Sequence, residues 1–185
     1  MTETCLLTMD LQNGIAGAYG DDDYLARVAT AQSAARSAGI EVVHVVVRFR
    51  AGHPEVNART NKMFAAIASA GGMVEGEHSA GICPSVAPVG QEVVVAKRRV
   101  SAFAGSDLDA VLRAQQARHL VLAGVATSGV VLSTLRQAAD LDYGLSVLSD
   151  ASLDPDEEVH RVLTEKVFPR QADVHTVDEW AESLG

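Results

Sequence analysis

Three stretches of the chain carry side chains whose types and spacing could do chemistry. "TMDLQNG" sets Asp10 directly after an apolar run, "AKRRVSAF" sets Lys97 at the end of another, and "LVLAGVATSGVVLST" passes Thr127 and Ser128 in a turn of small residues. A carboxylate that follows an apolar run is expected to be partly buried, and a buried carboxylate favours a cationic partner. Lys97 is the candidate. The pair has two readings: an ion pair that ties two strand ends together, or a general acid/base whose pKa is set by the lysine and by desolvation. The turn has two readings as well. It is a tight strand-to-helix connection with Ser128 as helix N-cap, or a turn that presents a nucleophile or backbone amides. A serine nucleophile needs an adjacent base oriented by a third group, and this stretch lacks the GxSxG elbow. Thr127, Ser133 and Thr134 are weaker candidates for that role.

The elements that must position these groups can be read from the hydrophobic pattern. Short β-branched runs alternate with longer helical patterns. Strands are expected at Thr4–Met9, Ile40–Phe49, Glu92–Lys97, 119–124, 145–151 and 172–177. Helices are expected over "DDDYLARVATAQSAARSAG", with acids at its start and Gly39 at its end, and over "NARTNKMFAAIASAGG", closed by glycines. "SDLDAVLRAQQA" should start on Ser106 as N-cap, "SGVVLSTLRQAADLDYG" should close at Gly144, and "DPDEEVHRVLTEKVF" has acids in its first turn. The alternation implies βαβ crossovers. The expected fold class is α/β, a doubly wound (Rossmann-like), predominantly parallel six-stranded sheet in three α/β/α layers. With no repeats or linkers, residues 1–185 read as a single domain. In such a sheet, ligands bind outside the carboxyl ends of the strands, where strand order reverses. Asp10, Lys97 and the turn after Gly124 each follow a strand, so the three can meet there.

Composition narrows the partners. The chain of 185 residues is 48% hydrophobic, 21% charged and 4% aromatic, with a formal net charge of -9. An acidic chain repels phosphate backbones and anionic lipid, so neither nucleic acid nor a membrane is expected as a partner. Cys5 and Cys83 form no CxxC pair and cannot build a disulfide framework. No apolar run approaches the ~20 residues of a transmembrane helix, and a cytoplasmic location with reduced thiols is expected.

"MDLQNG", "AKRRVSAFAGSDLDAVLRAQQARHLVLAGVATSGVV" and "DYGLSVLSDA" together resemble the isochorismatase-like hydrolase superfamily, often called cysteine hydrolases. That superfamily includes nicotinamidases, carbamoyl-amide hydrolases and isochorismatases. The resemblance runs from about Cys5 to about Trp180 and is carried by the order of motifs: Asp after the first strand, Lys before a "SAF" segment, then a GxATxxC-type turn. It implies that Asp10 is the catalytic acid/base and Lys97 its partner. It implies a cis peptide bond at Val125–Ala126, in a turn completed by Thr127 and Ser128. That turn would aim the amides of Ala126 and residue 130 as an oxyanion hole. It implies Gln12, Ile15, Arg48, Phe103 and Gly129 as substrate-binding positions, a small-molecule substrate, no cofactor, and a homodimer or homotetramer. The stretch "EKVFPRQADVHTVDEW", with Phe168 and Trp180, is a candidate contact between copies; docking onto its own sheet is the equal alternative.

The chain departs from the pattern at the nucleophile. The cysteine of the amidase branches falls six residues after the turn glycine, and counting from Gly124 gives Val130. Cys5 is expected in the core, and Cys83 is expected to be structural or to lie near a pocket rim. No metal site is expected: His53 is the lone histidine in "VRFRAGHPEVNART". Arg48 and Arg50 are candidates to fork onto a carboxylate substrate, with solvated loop charge as the alternative. Ile15 stands where many relatives have Asp followed by an aromatic. Isochorismatases offer a precedent for a missing cysteine, because a vinyl ether can be cleaved by protonation at carbon and addition of water. Three readings follow. The first is a hydrolase using Asp10 and Lys97 on a small, anionic metabolite such as a vinyl ether. The second is a catalytically silent ligand-binding member. The third is an amidase with Ser128 or Cys83 as substitute nucleophile.

Overall fold

Strands read from unbroken apolar runs should be covered on both faces, and the two most apolar runs are. The computed structural model describes residues 3–19 and 22–185. In it β2 (Glu41–Val47) and β4 (His119–Val125) are buried at every residue after the first. They belong to a six-stranded sheet with β1 (Thr4–Met9), β3 (Val93–Lys97), β5 (Gly144–Leu153) and β6 (Asp173–His175), in the order β3-β2-β1-β4-β5-β6. Every pairing is parallel. The chain runs outward from β1 to β3, then crosses back to β4. The reversal of strand order therefore lies between β1 and β4, where Met9 pairs with Gly124.

Alternate residues of the strands feed two cores. Leu7, Met9, Val43, Leu120 and Leu122 pack with α4 (Leu108–Ala114) and α5 (Leu132–Asp140) on one face. Leu6, Val42, Val121 and Ala123 pack with α2 (Asp22–Ser37) and with Val177 and Trp180 of α7 (Val177–Glu182) on the other. A shorter helix, α1 (Ala16–Tyr19), precedes α2, and α6 (Glu157–Val162) follows β5. Asp21, expected at the start of the α2 helix, lies outside the described residues. A third, smaller core gathers Val47, Phe49, Phe64 and Met73 under α3 (Lys62–Ala70). Asn61 starts α3 by accepting from the Phe64 amide at 3.2 Å, and Gly71, at φ 68°, ends it.

Several boundaries differ from the sequence reading. Ser106 does not cap α4 as its first residue. It accepts from the Leu108 amide at 3.2 Å one position ahead of the cap, Asp107. Helix α5 closes before Gly144, with Asp142 at φ 64° making the reversal. Gly144 instead opens β5, where a Cβ would run into the His119 ring. Phe168 is 0% and Trp180 5% exposed. Phe168 and Trp180 therefore dock on their own sheet, the second of the two alternatives.

Candidate active site

The carboxyl ends of β1, β3 and β4 bring Asp10, Lys97 and the Gly124 turn to one place. Asp10 follows β1 at φ 58°, and its amide donates to the Val45 carbonyl at 2.8 Å. Lys97 ends β3 opposite Val47, two strands away, and its long side chain spans the gap. Lys97 Nζ lies 2.9 Å from Asp10 Oδ2 and donates to the Arg99 carbonyl at 3.0 Å. Both groups are buried, Asp10 at 6% and Lys97 at 1% exposure. The other carboxyl oxygen, Oδ1, is buried and has no hydrogen-bond partner. Burial pushes the Asp10 carboxyl above the usual carboxylate range, and the Lys97 ammonium opposes that rise without cancelling it.

The turn after β4 forms the facing wall. Gly124 lies against β1 so closely that a Cβ would collide with the Met9 carbonyl oxygen. The Val125–Ala126 peptide bond is cis. A π-turn, Thr127–Val131, then leads into α5. Two contacts hold this turn from behind. Thr127 Oγ1 and His160 Nδ1 are 2.8 Å apart, and Asp154 Oδ2 accepts from the Ser128 amide at 2.8 Å. Burial lowers the His160 pKa, so a neutral ring can accept the Thr127 hydroxyl proton.

Between floor and turn lies a cavity of about 220 Å³. Asp10 and Lys97 form its floor, and Val125, Ala126, Ser128, Gly129 and Val130 form one wall. Ile15, Val47 and Val100 line the sides, and Met63, Phe64 and Ile67 of α3 close it from above.

Residues 4–179 match the model of the isochorismatase domain. The chain belongs to the isochorismatase family of hydrolases. It is 32% identical over 173 residues to a ureidoacrylate amidohydrolase RutB of Variovorax paradoxus, covering 82% of this chain and 69% of that one. The RutB of Stutzerimonas stutzeri is 30% identical over 174 residues, covering 82% and 70%. An isochorismatase family structure from Burkholderia thailandensis superposes with a TM-score of 0.82 at 25% identity, covering 100% of this chain and 97% of that one.

Within this family frame, the site gathers Asp10, Ile15, Lys97, Val125, Ala126, Ser128, Gly129 and Val130, as expected from the motifs. Four other expectations do not hold in place. Gln12 is 0% exposed and lies off the cavity. Its amide donates to the Val47 and Ala80 carbonyls at 2.9 and 2.8 Å and accepts from the Val47 amide at 2.8 Å. Both of its N–H donors are taken and the side chain is buried, so it laces β1 to β2 and the loop. Phe103 packs in the α4–α5 core, its ring 6.2 Å from Tyr143. Thr127 is turned away from the cavity onto His160. Arg48 reaches the Ala80 carbonyl at 3.3 Å and does not line the cavity, so it supplies no fork for a carboxylate there.

The remaining candidates fall outside the site. Cys5 donates to Gln115 at 3.1 Å, and burial pushes its thiol up to about 11. Cys83 is buried in a 3₁₀ turn with a raised pKa, away from the cavity. Neither can stand in for the nucleophile at Val130. His53 stacks on Phe49 and bonds the Gly72 carbonyl at 2.8 Å, which is a structural role. The lining from α3 was not anticipated. Its signal was present in Met63, Phe64 and Ile67, an apolar trio at helical spacing in a helix with little else to bury.

Proposed function

We propose that this isochorismatase-family hydrolase works without a covalent intermediate. Asp10 serves as acid and then base, Lys97 is its partner, and the substrate is a small molecule bearing a vinyl ether or related bond. The observation that carries this reading is the buried Asp10 carboxyl that lines the cavity, with Oδ2 held by Lys97 at 2.9 Å and Oδ1 without a hydrogen-bond partner among the described residues. A buried carboxyl that retains its proton is a competent general acid. The Asp10 proton is delivered to the terminal carbon of the C=C–O group, giving an oxocarbenium ion. Water adds to that cation, and the Asp10 carboxylate takes up the proton water loses. The hemiacetal then separates into an alcohol and a carbonyl compound. Lys97 stabilises the carboxylate left after the first transfer.

Val130 suits this chemistry because no attacking side chain is required. It is 2% exposed and fills the wall where the amidase branches of the superfamily carry sulfur. Replacing Asp10 by Asn should reduce turnover of a vinyl ether by about 10²–10⁴-fold, the usual contribution of a general acid, with folding retained by circular dichroism. Full activity in the folded variant would sink the reading.

One observation favours a second reading, an amidase using Ser128, because that residue is exposed and lines the cavity. The activating base is missing from that picture, since the neighbouring His160 is engaged with Thr127. Trapping with a serine-directed phosphonate and mapping the adduct by mass spectrometry separates the two readings.

A further inference from the structure

We infer that the cavity selects uncharged, largely apolar substrates and excludes carboxylates; this deepens the acid/base reading of the same site. Among the described residues that line the cavity, Lys97 is the one cation. Its ammonium is 2% exposed as a side chain and already bonds Asp10 and the Arg99 carbonyl. A carboxylate reaching it would have to share this buried ammonium with Asp10, and two carboxylates on one ammonium repel each other. Three arginines of these loops are engaged elsewhere. Arg50 and Arg98 converge on Glu55 at 2.6 and 3.5 Å, and both line a separate cavity along the β3 edge. Arg99 donates to the Glu55 and Arg98 carbonyls at 2.9 and 2.6 Å. Glu55 thus gathers the arginines that flank Lys97 in sequence and keeps them out of the site.

What remains around a ligand is Ile15, Val47, Val100 and Val130, with Met63, Phe64 and Ile67 above. An ionised carboxylate entering such walls loses its water and gains the Ser128 hydroxyl as its one uncommitted side-chain donor, a neutral group that does not offset the charge, which disfavours it strongly. The cavity, about 220 Å³, suits a small ligand with one polar function toward Asp10.

The probes are n-butyl vinyl ether and the carboxylate of equal heavy-atom count, (vinyloxy)acetate, titrated calorimetrically into the full chain. The neutral ether is expected to bind at least about tenfold more tightly. Met63 is 57% exposed at the cavity mouth, so Met63→Arg should fold normally and narrow that gap by admitting the carboxylate. Equal or tighter binding of the carboxylate by the unaltered chain, or no binding of either probe, overturns the inference. The two proposals fail separately. If the ether binds selectively but no acetaldehyde and butanol are released, the substrate preference stands and the acid/base reading falls. If the carboxylate binds better and is cleaved in an Asp10-dependent way, the reverse holds.

Discussion

A carboxyl group beside an ammonium ion keeps its proton only where desolvation outweighs the attraction. Asp10 is placed in that balance, its pKa raised by burial and held back by Lys97 at 2.9 Å. The protonated form is the active one in the proposed reaction. Activity should therefore hold on the acid side and fall as pH rises through the Asp10 pKa. Lys97→Met removes the group that lowers this pKa, so the falling limb of kcat/KM should move to higher pH while the plateau drops. A limb that stays put, or moves to lower pH, would show that Asp10 is not the titrating acid. A second test concerns position 130, which lines the cavity. Val130→Cys is nearly isosteric and should cost less than about 1.5 kcal/mol in stability. Because position 130 lines the cavity and neither native cysteine does, the new thiol should react with iodoacetamide before Cys5 and Cys83. Modification confined to the two native cysteines would mean that the wall at 130 is sealed from solvent.

At the scale of elements, the site exists because β1 and β4 approach closely where strand order reverses. Met9 and Gly124 are paired there, and the space beside Met9 is too small for any side chain at 124. Gly124→Ala should therefore force the two strands apart at the cavity floor. The expected cost is about 2–3 kcal/mol, or roughly 5–10 °C in Tm for a chain of this size, with activity reduced more than stability requires. An unchanged Tm would show that the strands adjust freely. The same elements mark how far the sequence could be read. Apolar runs and turn residues placed every strand and most helices, since burial on both faces and caps act locally. The motif order placed Asp10, Lys97 and the Gly124 turn together. What escaped depended on distant partners. Gln12 and Arg48 are polar residues near strand ends, and only the fold reveals that backbone carbonyls claim them. Phe103 lies six positions after Lys97, yet the chain turns it into the α4–α5 core. Asp154 and His160 brace the turn from beyond β5, a relation that local pattern does not express.

The molecule as a whole should be acid-sensitive, and histidines set where. His44 in β2 is 1% exposed, with Nδ1 3.2 Å from Thr8 Oγ1 and Nε2 2.9 Å from Glu92 Oε2. A neutral ring satisfies both contacts, donating from Nε2 to Glu92 and accepting the Thr8 hydroxyl at Nδ1. Burial holds the His44 pKa below its ordinary value despite Glu92, and it lowers those of His119 and His160 as well. In the unfolded chain these rings titrate near pH ~6.5. Below that pH the unfolded state takes up protons that the fold refuses, so the stability these histidines contribute falls as pH drops through ~6.5. His44, the most buried of the three, should contribute most to this loss. Asp10 acts in the opposite sense: its raised pKa makes the protonated fold more stable as pH falls through that pKa. Comparing the unaltered chain with His44→Gln, which keeps a donor for Glu92, cancels the Asp10 contribution. Urea unfolding at pH 7.5, 6.5 and 5.5 should show the variant losing less stability on acidification, even if it starts lower. Parallel losses in the two proteins would exclude His44 as the group that senses acid.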